Sequence, residues 1–211
     1  MRAFTSYTKV QILIGAFVRG RTCFVSPETF KHLDYLDVGC GPFVNQKVFV
    51  NLDWEWRPGV QVCWDIVKRA YPFPENRFRG IYTEHCLEHI GLDDLKKNLA
   101  EFYRLLKPGG RVRIVVPDGE LYLDLYQKQK QGENVKMPYQ EFYVSPMARI
   151  NGLFRNHGHQ FIHDFETFRI LLAEVGFKDI AKCSFMQGVE PILLKDSEYR
   201  RNESLYVEAC K

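Results

Sequence analysis

The sequence lacks the metal and membrane signatures that would assign a class at once. Its six cysteines form no Cys-x-x-Cys pair, which disfavours a zinc ribbon. Several of them fall in apolar runs, where a free thiol packs as a small hydrophobic group. This pattern predicts a reducing, cytoplasmic compartment. The chain contains no apolar run of about 18 residues, so no membrane span is predicted.

The sequence also lacks a strong excess of charge. Its formal net charge is only +3, which is too small to indicate a nucleic-acid partner. Residues 1–31 hold five basic residues and one acidic residue. We expect them to form an N-terminal helical extension, in which the apolar stretch 12–18 packs on the edge of the domain.

Strand patterns alternate with helix patterns along the chain. Apolar residues recur at helical spacing over 93–106 and 165–175, and the second of these helices lies between the capping residue Asp164 and Gly176. The predicted strands are 33–38, 48–53, 60–65, 80–84, 111–117, 178–185 and 204–210. The alternation predicts a single α/β domain over 1–211, with a Rossmann-like, mostly parallel seven-stranded sheet and helices on both faces.

One connection is too long for a simple α/β fold. Residues 118–163 separate the fifth strand from the 165–175 helix, and they contain helix-like patterns and many aromatic residues. Long insertions at such places are usually functional. We therefore predict a helical insertion after the fifth strand that acts as a lid over the active-site edge.

The stretch LDVGCGP, residues 36–42, runs from a strand directly into two glycines. Gly39 and Gly41 lie at the carboxyl end of that strand, where open parallel sheets bind ligands, and glycine lets a ligand approach the backbone. A dinucleotide is disfavoured, because Val44 replaces the third glycine of the G-x-G-x-x-G pattern. A Walker loop is absent, since no Gly-Lys-Ser/Thr follows.

A nucleoside without phosphates fits the residues at the next strand ends. Asp53 can bind both ribose hydroxyls, Trp54 can cover an adenine face, and Asp65 can accept from an exocyclic amine. Asp37, just before the glycines, can meet an ammonium group. Together these features describe S-adenosylmethionine. The alternative for Asp53 and Asp65 is a purely local role as turn residues.

The order of motifs resembles that of class I S-adenosylmethionine-dependent methyltransferases, and most closely the small members found among sugar and surface-glycan enzymes. The matching pieces are LDVGCGP, VNLD, CWDI, TEHCLEHI, LKPGGRVRIVVPD and LLAEVGF. The resemblance implies S-adenosylmethionine as cofactor, bound by Asp37, Gly39, Gly41, Asp53, Trp54, Asp65 and Glu84. Pro42-Phe43 departs from the family pattern, in which many members have a third glycine in the first motif.

Five of the six histidines fall into two groups. His85 and His89 follow the fourth strand, whereas His157, His159 and His163 end the insertion. Methyl transfer to a hydroxyl gains from a base with a pKa near neutrality, and histidine is the usual one. We predict His159 as this base, ahead of His157 and His85, because the short extended run after it should fix its backbone. The insertion histidines lack cysteine partners and an H-E-x-x-H helix, so no metal site is predicted.

The sequence leaves the methyl acceptor open. We predict O-methylation of a small molecule or glycan. A nucleic-acid or protein methyltransferase is one alternative, although the chain offers no extended basic face and no N-P-P-Y-type motif after the fourth strand. The other is a protein that binds S-adenosylmethionine without chemistry, which the intact cofactor residues fit equally well.

Overall fold

A single mixed sheet flanked by helices organises the chain, of which the computed structural model describes residues 8–22 and 25–211. The strands in this part are β1 (Arg21–Thr22), β2 (Tyr35–Val38), β3 (Phe49–Asp53), β4 (Val62–Cys63), β5 (Phe78–Glu84), β6 (Leu106–Pro117), β7 (Lys178–Cys183) and β8 (Ser204–Cys210). The α-helices are α1 (Lys9–Val18), α2 (Leu92–Leu105), α3 (Gly119–Lys130), α4 (Pro146–Arg155) and α5 (Phe165–Val175). None of these helices is long and apolar enough to cross a membrane.

The sheet is mostly parallel, as the alternation of elements predicts. Its strand order is β1-β4-β3-β2-β5-β6-β8-β7, with β2 to β6 paired in parallel and β7 and β8 antiparallel. It has eight strands rather than the predicted seven, because the chain turns at Gly20 (φ +88°) and adds β1 antiparallel to β4. Parts of the predicted N-terminal extension, residues 1–7 and 23–24, lie outside the described residues.

Side chains of each strand alternate between the two faces of the sheet. Alternate residues of β6, from Val112 to Val116, join the main core, in which α2 and α5 cover the sheet. The bounds of α5 agree with the sequence pattern. Asp164 Oδ1 accepts a hydrogen bond from the Thr167 N–H at 2.8 Å, and Gly176 ends the helix in the left-handed conformation (φ +112°).

The opposite face is covered by residues 184–203, which join β7 to β8 and which we call the strap. Arg113 of β6 is fully buried beneath it. Its guanidinium donates two hydrogen bonds to Asp196 of the strap, of 2.8 and 2.5 Å, and one of 2.9 Å to Glu208 of β8. Two strap carbonyls accept further hydrogen bonds from it, at 3.0 and 3.2 Å. This ion cluster fixes the strap against the sheet.

Residues 118–163 form α3, α4 and short 3-10 turns. Asp118 begins this insertion and caps α3, because its Oδ1 accepts from the Leu121 N–H at 3.2 Å. The far end of the insertion returns to the sheet edge, where the Gln160 N–H donates to the Glu88 carbonyl at 2.8 Å. The insertion is therefore attached at both ends to the carboxyl edge of the sheet.

The ion cluster under the strap gives a direct test of this architecture. Arg113→Leu should lower the free energy of unfolding by about 3–5 kcal/mol, because it leaves two buried carboxylates without a counter-charge. Denaturant titration measures the change. Arg79→Leu is the control, since that side chain is 67% exposed and lies 3.4 Å from Asp34, and its loss should cost less than about 1 kcal/mol. Equal losses in the two variants would contradict the role of the cluster.

Candidate active site

The backbone of the loop after β2 favours glycine at two positions. Gly39 and Gly41 both adopt positive φ, +72° and +53°. A Cβ on Gly39 would lie 2.5 Å from the Cys86 Sγ atom, so no larger residue fits. The Gly39 N–H donates to the Leu52 carbonyl at 2.8 Å. The loop is thus folded back against β3, with its backbone open to a ligand.

Asp53 at the end of β3 holds this glycine loop. One carboxylate oxygen accepts from the Gly41 N–H at 2.8 Å, and the other accepts from the Glu55 N–H at 2.9 Å. Burial raises the pKa of Asp53, while the two backbone donors oppose this shift. The position agrees with a role at the sheet edge, and it couples the glycine loop to the strand end.

Trp54 and Asp65 each contact other residues of the protein. The Arg19 guanidinium, just after α1, lies 3.5 Å from the centre of the Trp54 ring, and its Nε donates to the Trp54 carbonyl at 3.0 Å. Asp65 Oδ1 accepts from the N–H groups of Val67 and Lys68, both at 3.1 Å. Neither of these residues lines the cavity described next, nor does Asp53, and the hydrogen bonds of Asp65 are those of a turn residue.

A cavity of about 810 Å³ opens at the carboxyl edge of the sheet. Its walls come from the glycine loop at 39–43, the end of β5 with the turn after it, the insertion and the strap. The volume lies in the range of small-molecule sites. The cavity therefore brings together segments that are far apart in sequence, including His85, His89, His157 and His159. His163 does not line it and is buried against Phe161 and Phe168.

One corner of this cavity already binds an ammonium group. Asp37 is buried, with 1% of its surface exposed, and its carboxylate pairs with Lys195 Nζ of the strap. The same Nζ lies 4.8 Å from the ring centres of Phe49 and Tyr82. Burial raises the pKa of Asp37 to about 6, although Lys195 opposes the shift. A carboxylate and two aromatic faces form a suitable cage for a cation.

Glu84, at the end of β5, also binds the strap. Its two carboxylate oxygens accept from the Ser197 N–H at 2.9 Å and from the Ser197 hydroxyl at 2.6 Å. Five acidic residues of the cavity wall outnumber its basic residues: Asp37, Glu84, Glu88, Glu198 and Glu203 against Arg149, Lys195 and Arg200. Such a wall favours a cationic ligand.

His85 has both ring nitrogens engaged. Arg200 Nη1 lies 2.5 Å from its Nδ1, and the Ser204 hydroxyl lies 2.9 Å from its Nε2. A guanidinium can only donate, so Nδ1 must accept, and the ring proton resides on Nε2. Both contacts hold the His85 ring in place and leave it little capacity to act as a base.

His159 is the imidazole with an available lone pair. Its Nδ1 lies 2.6 Å from the Leu153 carbonyl, which can only accept, so Nδ1 carries the proton and Nε2 the lone pair. Burial lowers the pKa of His159 and also that of His157, which favours their neutral forms. The ring centre of His159 lies 5.1 Å from that of His89 and 5.8 Å from that of His157. The two histidine groups thus meet in the cavity.

Sequence analysis missed the strap and Arg149 as parts of this wall. The strap contributes Lys195, Ser197 and Arg200, and α4 contributes Arg149. A signal for the strap was present, because adjacent antiparallel strands are normally joined by only a few residues. The length of the 184–203 connection could have indicated a functional loop. Arg149 gave no such signal, since its pattern is that of an ordinary helical residue.

The sequence matches a known protein family, which identifies the class of protein. A family described as methyltransferase domain matches residues 14–182, which is most of the chain. The chain belongs to the methyltransferase-domain family. The resemblance to class I S-adenosylmethionine-dependent methyltransferases is confirmed, as is S-adenosylmethionine as the cofactor.

Individual relatives of this methyltransferase domain are distant. The ubiquinone/menaquinone biosynthesis C-methyltransferase of Geobacter sulfurreducens is 28% identical over 134 residues, or 58% of this chain and 46% of the relative. The chain thus spans about half the length of that relative. A SAM-dependent methyltransferase from Archaeoglobus fulgidus has a TM-score of 0.52 at 16% identity and covers 87% and 89% of the two chains. The methyltransferase SibL in its apo form has a TM-score of 0.50 at 19% identity, covering 95% and 53%. These two likenesses show the fold.

The residues of this methyltransferase domain fit the cofactor. The side chain of Lys195 places an ammonium group against Asp37, which is the chemistry needed for the amino group of the methionine end. The glycine loop leaves its backbone open beside this corner. The acidic excess of the wall suits a ligand with a sulfonium and an ammonium group.

The buried carboxylate of Asp37 predicts a pH effect on cofactor binding. Its pKa is about 6, so lowering the pH from roughly 7 to 5 takes it from mostly ionised to mostly protonated and should weaken S-adenosylmethionine binding about tenfold. Calorimetric titration at constant ionic strength measures this. Asp37→Asn is the control and should bind weakly with no change across the same range. An unchanged wild-type affinity would remove Asp37 from the binding site.

Proposed function

We propose that this methyltransferase O-methylates a hydroxyl group of a small molecule or glycan. The observation that carries the proposal is the imidazole of His159, whose Nδ1 donates to the Leu153 carbonyl, so that Nε2 keeps the lone pair, and whose ring lines the same cavity as the glycine loop. A hydroxyl must lose its proton when it accepts a methyl group, and a neutral imidazole is suited to activate it.

The two ends of the cavity would bind different molecules, the cofactor at one end and the acceptor at the other. Asp37, Gly39 and Gly41 line the cavity and would hold the methionine end of the cofactor. Asp53 keeps the glycine loop in place from behind the cavity wall, and it would meet the ribose at the end of β3. When bound, S-adenosylmethionine supplies an electrophilic methyl group. The insertion and the strap would hold the acceptor in line with that group and exclude water. His159 lies on the insertion side, where the acceptor would sit.

The wall on the acceptor side supports a sugar or another small ring. Four aromatic residues, Tyr139, Phe142, Tyr143 and Tyr199, line it together with Arg149 and Arg200. Aromatic walls with a few polar groups are typical of small-molecule sites. The acidic excess of the same wall disfavours a nucleic acid, because it would repel the phosphate backbone. A compact acceptor therefore remains our proposal over a nucleic acid.

C-methylation is a second candidate. The relative from Geobacter sulfurreducens is named as a C-methyltransferase, and an activated ring carbon also loses a proton after it accepts the methyl group. The cavity offers the same imidazole for that proton. The position of the transferred methyl group in the product, read by NMR, distinguishes the two reactions.

Asp53 tests the cofactor end of the site. Asp53→Ala should weaken S-adenosylmethionine binding by roughly 1.5–3 kcal/mol, the value of hydrogen bonds to a charged group. Calorimetric titration measures the affinity, and thermal unfolding confirms that the variant is folded. Glu198→Ala is the control, since it removes an acid of the strap whose side chain is 73% exposed. If both variants bind the cofactor like the wild type, Asp53 has no part in binding.

His159 tests the acceptor end. His159→Ala should lower turnover by about 10²–10⁴-fold, the usual loss when an acid–base group is removed, while the affinity for S-adenosylmethionine stays nearly unchanged. Release of S-adenosylhomocysteine with a panel of sugar and small-molecule acceptors measures turnover. Near-normal turnover of the variant on the true acceptor would exclude the role. Cofactor binding by the wild type without any transfer would favour a binding protein.

A further inference from the structure

The imidazole cluster contains a buried carboxylate with no hydrogen-bond partner. Glu88 is 0% exposed, and neither of its carboxylate oxygens receives a hydrogen bond. His85 Nδ1 lies 3.3 Å from Glu88 Oε1. The imidazole of His89 also faces this buried carboxylate. The negative charge of Glu88 favours a positive partner at this place.

Two imidazoles converge on this carboxylate. His89 Nε2 lies 3.9 Å from Glu88 Oε1. One ligand atom from each of Glu88, His89 and His159 lies within 4.8 Å of the others. In a tetrahedral zinc site with bonds near 2.0–2.1 Å, ligand atoms are about 3.3 Å apart. Glu88 Oε1 and His89 Nε2 are already close to that spacing. Rotation of the partly exposed His89 and His159 side chains can bring the remaining ligand atoms to the same distance.

His159 makes the kind of hydrogen bond that orients metal-binding histidines in other proteins. Its Nδ1–H donates to the Leu153 carbonyl at 2.6 Å, which fixes the tautomer and leaves Nε2 for coordination. The backbone also joins the two ligand segments, because the Gln160 N–H donates to the Glu88 carbonyl and the Gln160 Nε2 donates to the His89 carbonyl, at 2.8 and 2.7 Å. The ligands are therefore held near one another without an ion.

We propose that Glu88, His89 and His159 bind a divalent transition-metal ion of the zinc type on the acceptor side of the cavity. Two imidazoles and one carboxylate are a known ligand set for such ions, with a position left open for a substrate or water. Magnesium and calcium are disfavoured, since they prefer oxygen ligands.

The ion would take the place of His159 as the group that activates the acceptor, because it would occupy the Nε2 lone pair; this part rests on the proposed function. A hydroxyl bound at the open position becomes more acidic and releases its proton to solvent through the mouth of the cavity. His159 then acts through the ion as a ligand. Binding of the ion itself depends only on the three side chains, so it can be tested in the absence of cofactor and acceptor.

Cobalt titration of the full chain, stripped with a chelator, tests the site. Wild-type protein should bind one Co²⁺ per chain with visible absorption bands, and Zn²⁺ but not Mg²⁺ should displace it. Glu88→Gln and His159→Ala should each weaken binding more than about 100-fold, beyond the loss typical of second-shell changes. The controls His32→Ala, on the exposed surface, and His157→Ala, within the cavity, should bind Co²⁺ like the wild type.

Thermal unfolding gives an independent readout. A hundredfold excess of Zn²⁺ over its dissociation constant should raise the wild-type midpoint by about 5–10 °C and leave Glu88→Gln unchanged. Glu88→Gln also loses the ion pairs of Glu88 with His85 and His89, so its response to Zn²⁺ is measured against its own metal-free midpoint. The proposal is overturned if wild-type protein binds neither Co²⁺ nor Zn²⁺ at millimolar concentration, or if both ligand variants bind like the wild type.

A parallel titration with S-adenosylmethionine separates the two claims. Cofactor binding without metal binding would overturn the metal site and leave the methyltransferase function standing. Metal binding without cofactor binding would support the metal site and contradict the proposed methyltransferase function.

Discussion

The buried contact between Arg113 and Asp196 is the constraint on which the cavity depends. The planar guanidinium accepts only one arrangement of the carboxylate that it binds through two hydrogen bonds. The residues on either side of Asp196 are fixed as a result, with Lys195 against Asp37 and Ser197 against Glu84. Three consecutive residues of the strap therefore contact three different strands. A loop without regular structure becomes a rigid wall in this way.

The cavity has two chemically distinct ends. At one end, the glycine loop and Asp37 offer bare backbone and a caged carboxylate. At the other end, imidazoles and aromatic rings surround the buried carboxylate of Glu88. The insertion belongs to the second end, whereas the strap contributes to both, because Lys195 contacts Asp37 and Arg200 contacts His85. Both segments lie outside the regular alternation of strands and helices, and they form the wall where the acceptor would bind.

Much of the fold was predictable because its signals are local. The run into Gly39 and Gly41, the helix between Asp164 and Gly176, and the predicted strands all depend on residues close in sequence. The eighth strand was missed, since β1 is two residues long and is defined only by its partner β4. The state of His85 could not be foreseen, because Arg200, which occupies its Nδ1, lies 115 positions away. Contacts between residues so far apart produce no periodic pattern in the sequence, so they cannot be predicted from it.

The ion pairs of the molecule differ in their exposure to dissolved salt. Pairs such as Lys31 with Glu28 have side chains about 70% exposed, so counter-ions at ordinary ionic strength screen them within a Debye length of roughly 8–10 Å. Arg113 and Asp196 have no exposed side-chain surface, and mobile ions cannot come between them. The strap wall therefore keeps its position from dilute buffer to high salt. Any dependence of ligand binding on ionic strength consequently reports the charge of the ligand and of the open cavity, not movement of the wall.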